Sequence, residues 1–190
     1  MDALALLTAD HDRFRGFFAR LRTAGERGDD AAQRALAGPL FRDLEIHAAL
    51  EEEIFYPWVR GLSEELATSV DEGVEEHHVA DLVIAEARAL GVGGDQWEAK
   101  LTVLMENVEH HIAEEEDDMF PGVRQATSAE DREAVGARMD ARRGDLGGPT
   151  LAEAMRLGAD ELRGKAAEQQ IPGRSSMSKE ELAAAVDPRA

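Results

Sequence analysis

Apolar positions recur along the first 125 residues at spacings of three and four, the signature of helices with one buried face. Leu4, Leu7, His11, Phe14, Phe18 and Leu21 make the first such stripe, and GERGDD (25–30) breaks it. Leu36, Leu40, Leu44, His47, Glu51, Ile54 and Phe55 make a second, expected to end around Pro57 and Gly61. Ser63 can cap a third helix that carries Val70, Val74, His77 or His78, and Ile84, with GVGGDQ (91–96) as its stop. A fourth carries Leu101, Leu104, Val108, His111, Glu115 and Met119 and is expected to stop near Pro121. No run alternates apolar and polar residues long enough to make a strand. The pattern predicts an all-α fold, an up-down-up-down four-helix bundle with a small C-terminal helical appendage.

Beyond the bundle the texture changes. Residues 127–143 read as a shorter polar helix with Ser128 as its cap, so that 1–143 form the bundle plus this helix. GDLGGPT (144–150) reads as a linker and 151–190 as a small helical tail. Thr150 with Glu153, and Ser178 with Glu181, have capping-box spacing.

Charge and composition narrow the classes of function. Forty acidic residues against 21 basic give a net charge of -19, a surface that repels phosphate backbones. The tail from 151 holds 6 basic and 7 acidic residues, so the preceding part carries the other -18. The absence of cysteine excludes disulfides, thiolate metal sites, iron–sulfur clusters and thiol catalysis. The N-terminus turns charged too early for a signal peptide, and no apolar run approaches the roughly 20 residues of a membrane span. A cytoplasmic protein is the expectation.

The histidines carry the chemistry. Each of the four helices has at least one, and two helices repeat a pattern: HAALEEEIFYP (47–57) and HIAEEEDDMFP (111–121). In both, Glu follows His by four residues, which puts His47 with Glu51, and His111 with Glu115, on one helical face. With Gly28, Gly61 and Gly93 as markers of the turns, heights can be compared. His11 lies 17 residues before Gly28 and His47 19 after it; His47 lies 14 before Gly61 and His77 16 after it; His77 lies 16 before Gly93 and His111 18 after it. Each mismatch of two residues is about 3 Å of rise. Four imidazoles and two carboxylates therefore meet at one level of a bundle core, a donor set suited to first-row metals. An unpaired carboxylate buried there would cost several kcal/mol unless a metal or a proton neutralised it. His77 is favoured over His78 because its stripe is bulkier and its height matches better. His78 and His110 read as surface groups or as supports behind the ligands, and Asp81 as an exposed acid. The remaining glutamates of the runs 51–53 and 114–116 read as solvated faces. Tyr56, about 140° round an α-helix from Glu51, is expected to pack at the bundle end.

The series His11, His47-x3-Glu51, His77, His111-x3-Glu115, with the strings EEEIFYP, EEHHVADLVIAE and HHIAEEEDDMFP, resembles the hemerythrin-like (HHE cation-binding) proteins over roughly residues 1–125. That resemblance implies a non-haem di-iron centre, two Fe ions bridged by oxo or carboxylate groups. It makes His11, His47, His77 and His111 nitrogen ligands and Glu51 and Glu115 carboxylate ligands. Oxygen-carrying members place a second histidine one turn along the third helix, where this chain has Asp81, which argues against reversible oxygen carriage. Peroxide, O2 or NO as ligand, catalase-like peroxide decomposition, sensing and iron handling are the functions the resemblance leaves open. The tail, through IPGRSSMSKEEL (171–182), resembles the helix-extended-loop-helix module of Rho termination factor and SAP motifs. Those modules bind nucleic acid through basic residues, here Lys165, Arg174 and Lys179. Its net charge of -1 favours a solubilising or protein-interaction tail at least as strongly. The alternative to a redox protein is thus an interaction protein with a structural metal, whose tail docks nucleic acid or a protein.

Overall fold

The computed structural model describes residues 1–189 and is helical throughout. Four rods form the bundle. The first is α1 (Ala3–Glu26); the second is α2 (Asp30–Leu50), which runs through a π turn (Glu51–Phe55) into α3 (Tyr56–Val59). The third is α4 (Glu64–Leu90); the fourth is α5 (Trp97–Glu114), which runs through a second π turn (Glu115–Met119) into α6 (Phe120–Ala126). The rods touch in a closed square, α1 on α2, α2 on α4, α4 on α5 and α5 on α1, as an up-down-up-down bundle requires.

Local chemistry sets the boundaries. Asp2, Asp29 and Ser63 accept the orphan N–H groups at the starts of α1, α2 and α4. Gly91, at φ 71°, provides the left-handed residue that ends α4. Rod two ends at Val59, between Pro57 and Gly61 as expected. The stop near Pro121 is corrected: rod four runs on to Ala126, because Pro121 sits at the start of a new α segment, just after a π turn that has already rearranged the backbone bonding.

Apolar packing divides into two clusters with a polar layer between them. Phe14, Phe18, Leu40, Leu101 and Leu104 fill the end nearer Gly28 and Gly93. Leu4, Leu7, Leu50, Phe55 and Val123 fill the end nearer Gly61. Each fully buried side chain of this size contributes roughly 1.5–3 kcal/mol, so the two clusters can hold a costly polar layer in place.

Of the remaining helices, the first and the last lie against the outside of α1, and the two between them pack on the last. α7 (Ala129–Asp145) begins at a capping box formed by Ser128 and Asp131. Residues 146–150 make a tight turn with Gly147 at φ 78°, and the tail follows as α8 (Leu151–Ala154), α9 (Ala159–Glu168) and α10 (Lys179–Ala185). The tail has its own small core of Leu162, Ala166, Ile171, Leu182 and Ala185, which also takes in Ala9 of α1. A Cβ at Gly16 would come within 2.4 Å of the Gln169 carbonyl oxygen, so α1 meets the tail backbone where it has no side chain. Arg13 Nη1 donates to the Ala184 carbonyl at 3.1 Å across the same seam. No helix among the described residues is long and apolar enough to cross a membrane.

Candidate metal centre

The polar layer contains His11, His47, Glu51, His77, His111 and Glu115, each 7% exposed or less. The structure brings all six together. One ligand atom each from His11, His47, Glu51 and Glu115 lies within 4.8 Å of the others, and the same holds for Glu51, His77 and His111. Glu51 belongs to both groups. Its Oε2 is 3.1 Å from His47 Nε2 and 3.2 Å from His77 Nε2. Glu115 Oε2 is 3.3 Å from His11 Nε2 and 3.8 Å from His111 Nε2. The four Nε2 atoms thus face one another and the two carboxylates across the layer.

Every Nδ1 points the other way, each to its own carboxylate. His11 Nδ1 is 2.8 Å from Glu116, His47 Nδ1 3.3 Å from Asp10, His77 Nδ1 3.0 Å from Glu52 and His111 Nδ1 2.7 Å from Glu76. An ionised carboxylate only accepts, so each Nδ1 carries a proton and donates it, which leaves Nε2 as the inward-facing atom that would give up any proton of its own to a cation. These four acids escaped the sequence reading. Glu52 and Glu116 stood in runs taken as solvated, yet each is the residue after a buried Glu; Asp10 and Glu76 each stand immediately before a site histidine. That shared offset was the signal.

Asp10 is itself buried and accepts from Arg143 Nη1 at 2.8 Å and Arg13 Nη2 at 2.7 Å. Burial pushes its carboxyl up, but the two guanidiniums and His47 overcome this and hold it well below the usual carboxylate range. Arg143 reaches it from α7, which ties the added helix to the centre.

Tyr56 requires a correction. It does not merely pack at the bundle end: its hydroxyl donates to Glu115 Oε1 at 3.1 Å, and its ring stacks on His77 at a centroid distance of 5.6 Å. The cause is the π turn, in which the Tyr56 N–H bonds to the Glu51 carbonyl five residues back. An i→i+5 turn brings residue 56 back onto the face of residue 51, which the α-helical angle does not. The second π turn does the same at Phe120, which stacks on His11 at 5.9 Å. The two halves are therefore built alike, with Tyr56 on one side and Phe120 on the other.

Burial disfavours charge on His11 and His77, but the surrounding glutamates outweigh it and raise both to about 9. His111 is raised well above its ordinary value by Glu115, Glu51 and Glu76 against the same burial. Glu51 is held well below its ordinary value despite complete burial, first by His47. Burial and the Glu115 and Glu51 charges push the Tyr56 phenol well above 10, so it remains a proton donor.

His78 is exposed, and so is Asp81, although Asp81 borders a cavity of 30 Å³ beside the centre. His110 is exposed as well, 3.2 Å from Glu114. The fit to a metal is tested by what the protein leaves unsatisfied. His11 Nε2, His47 Nε2, both oxygens of Glu51 and Glu115 Oε2 are buried without a hydrogen-bond partner. Instead they crowd against one another, His47 Nε2 on Glu51 Oε2 and His11 Nε2 on Glu115 Oε2, an arrangement that fits cations.

Residues 2–123 match the family described as the hemerythrin HHE cation binding domain. A curated relative, a DNA nickase of Nostoc sp. (strain PCC 7120 / SAG 25.82 / UTEX 2576), is 25% identical over 133 residues, 70% of this chain and 36% of that protein. The chain thus spans about a third of that relative's length. No solved structure matches the chain.

Proposed function

Since this chain belongs to the hemerythrin HHE cation-binding domain family, we propose that it holds two iron ions in the polar layer and exposes them to a small oxidant or gas: peroxide, O2 or NO. The observation that carries the reading is the set of five buried, partnerless donor atoms. His11, His47 and Glu115 would hold one iron, and His77 and His111 the other, with Glu51 shared between them. When bound, each iron would supply one electron, so the pair would supply the two that reduction of peroxide takes.

The chain's own residues do the rest. The Nδ1–carboxylate bonds fix each imidazole and make its Nε2 a better donor. Tyr56 keeps its proton on Oη and directs it at Glu115 Oε1, which leaves Oε2 for the cation. Phe14, Leu44, Ile84 and Val108 line the 30 Å³ cavity where it meets His47, His77 and His111. That space suits a neutral diatomic or a hydrogen peroxide molecule and penalises a charged anion.

Iron analysis of protein from iron-replete cells tests the reading, with about two irons per chain expected. Glu115→Ala should lower the iron content while the helical circular dichroism is retained; undiminished iron would remove Glu115 from the ligands. A reduced, iron-loaded protein whose absorption ignores peroxide, O2 and NO alike would refute the redox part. For the rival nucleic-acid role of the tail, exposed Arg174 and Lys179 each donate once to the tail backbone, to the Ile171 and Met155 carbonyls, and keep further N–H donors. Deleting residues 145–190 should abolish any nucleic-acid retention if that reading holds.

A further inference from the structure

A cavity of 80 Å³ lies between α4 and the fourth rod, against the centre. Glu72 and Asp118 stand at its exposed side, and buried His111 and Glu115 form its inner end. Glu115 supplies an observation independent of the acidic lining: its side chain is 2% exposed, and its Oε2 has no hydrogen-bond partner. Beside it, at the surface, Glu76, His110 and Glu114 bring three donor atoms within 4.8 Å of one another, and of these Glu76 and Glu114 line the cavity. Glu76 faces both ways, with Oε1 3.8 Å from His110 Nε2 and Oε2 2.7 Å from His111 Nδ1. Glu76 therefore links the surface cluster to one of the candidate ligands, His111.

Gly73 keeps the inner end open. A Cβ there would lie 2.7 Å from Tyr56 Oη and 3.4 Å from His111 Cε1, so any side chain would fill the passage. The other cavity at the centre has mostly apolar walls, Phe14, Leu44, Ile84 and Val108 among them, and Asp81 is its single carboxylate against five in the acidic cavity.

We propose that the acidic cavity is the path by which divalent cations reach the centre, passing from Glu72, Glu114 and Asp118 by way of Glu76 to His111 and Glu115, with Gly73 as the aperture. The proposal rests on the reading of the centre as a metal site. Negative charge at a mouth concentrates cations and speeds their capture, an effect that salt screens.

Stopped-flow uptake of Co2+ by the metal-free full chain tests it. Glu72→Gln, Glu114→Gln and Asp118→Asn together should slow loading about tenfold at low ionic strength, with the difference shrinking at high salt and the final Co2+ content unchanged. Glu130→Gln, Glu133→Gln and Glu168→Gln remove as much charge outside the cavity and should leave the rate near that of the parent. Gly73→Ala should slow loading at every ionic strength. A cavity triple variant that loads at the parental rate, or a control slowed equally, overturns the path. A parent that takes up no Co2+ overturns the metal centre itself.

Discussion

Asp10→Asn tests how the centre is supported, because it changes one charge and almost no volume. Asp10 holds Arg143 through both carboxylate oxygens, and it also holds Arg13 and His47 Nδ1. Arg13 keeps Asp43 at 2.9 Å, but no other carboxylate lies within ion-pair reach of Arg143 among the described residues, and Arg143 is 4% exposed. Stranding one buried guanidinium costs about 3–5 kcal/mol. At roughly 2–4 °C per kcal/mol for a chain of this size, the metal-free protein should melt about 6–20 °C lower. His47 loses its charged anchor as well, which should weaken metal binding about 10–100-fold. Adding Arg143→Met separates the two effects: without a stranded charge, most of the melting temperature should return, while the metal affinity stays low. Thermal unfolding by circular dichroism and Co2+ titration read the two quantities. A single variant within 1 kcal/mol of the parent, or a double variant that regains full metal affinity, would refute the argument.

Other consequences are as open to test. In the metal-free protein, His11 and His77 keep their protons to about pH 9, whereas an unfolded chain releases them near 6.5. Their stabilisation, about 3 kcal/mol each, is complete below pH 6.5 and lost as pH rises through 9, so denaturant midpoints should fall across that window. A flat profile would contradict the buried ion pairs. Gly16→Ala forces a Cβ against the Gln169 carbonyl and should cost about 1–3 kcal/mol by lifting the tail off α1. Trypsin should then cut faster at Arg174 while metal content holds; an unchanged cleavage rate would show that the seam yields easily.

The bundle was legible because a 3.6-residue period and glycine-marked turns leave little freedom in where inward-facing histidines meet. The level match of His11, His47, His77 and His111 followed from counting alone. Tyr56 was misplaced because counting at 100° per residue assumes an unbroken α-helix, and the π turn at 51–55 inserts a residue that only coordinates reveal. The continuation past Pro121 to Ala126 was hidden by the second π turn. Asp10, Glu52, Glu76 and Glu116 were hidden because a helix of acids reads as solvated unless a neighbouring rod turns an imidazole towards it. Arg143 was unreadable for a different reason: its partner lies 133 residues away, and nothing local to α7 marks one arginine of a polar helix as buried.

The central claim is that six donors from four rods hold a pair of cations through a shared Glu51. Anomalous diffraction at the iron edge from crystals of the iron-loaded protein addresses it most directly. The account predicts two peaks, one beside His11 and His47 and the other beside His77 and His111, with Glu51 touching both. A lone peak, or density confined to Glu76, His110 and Glu114, would contradict it.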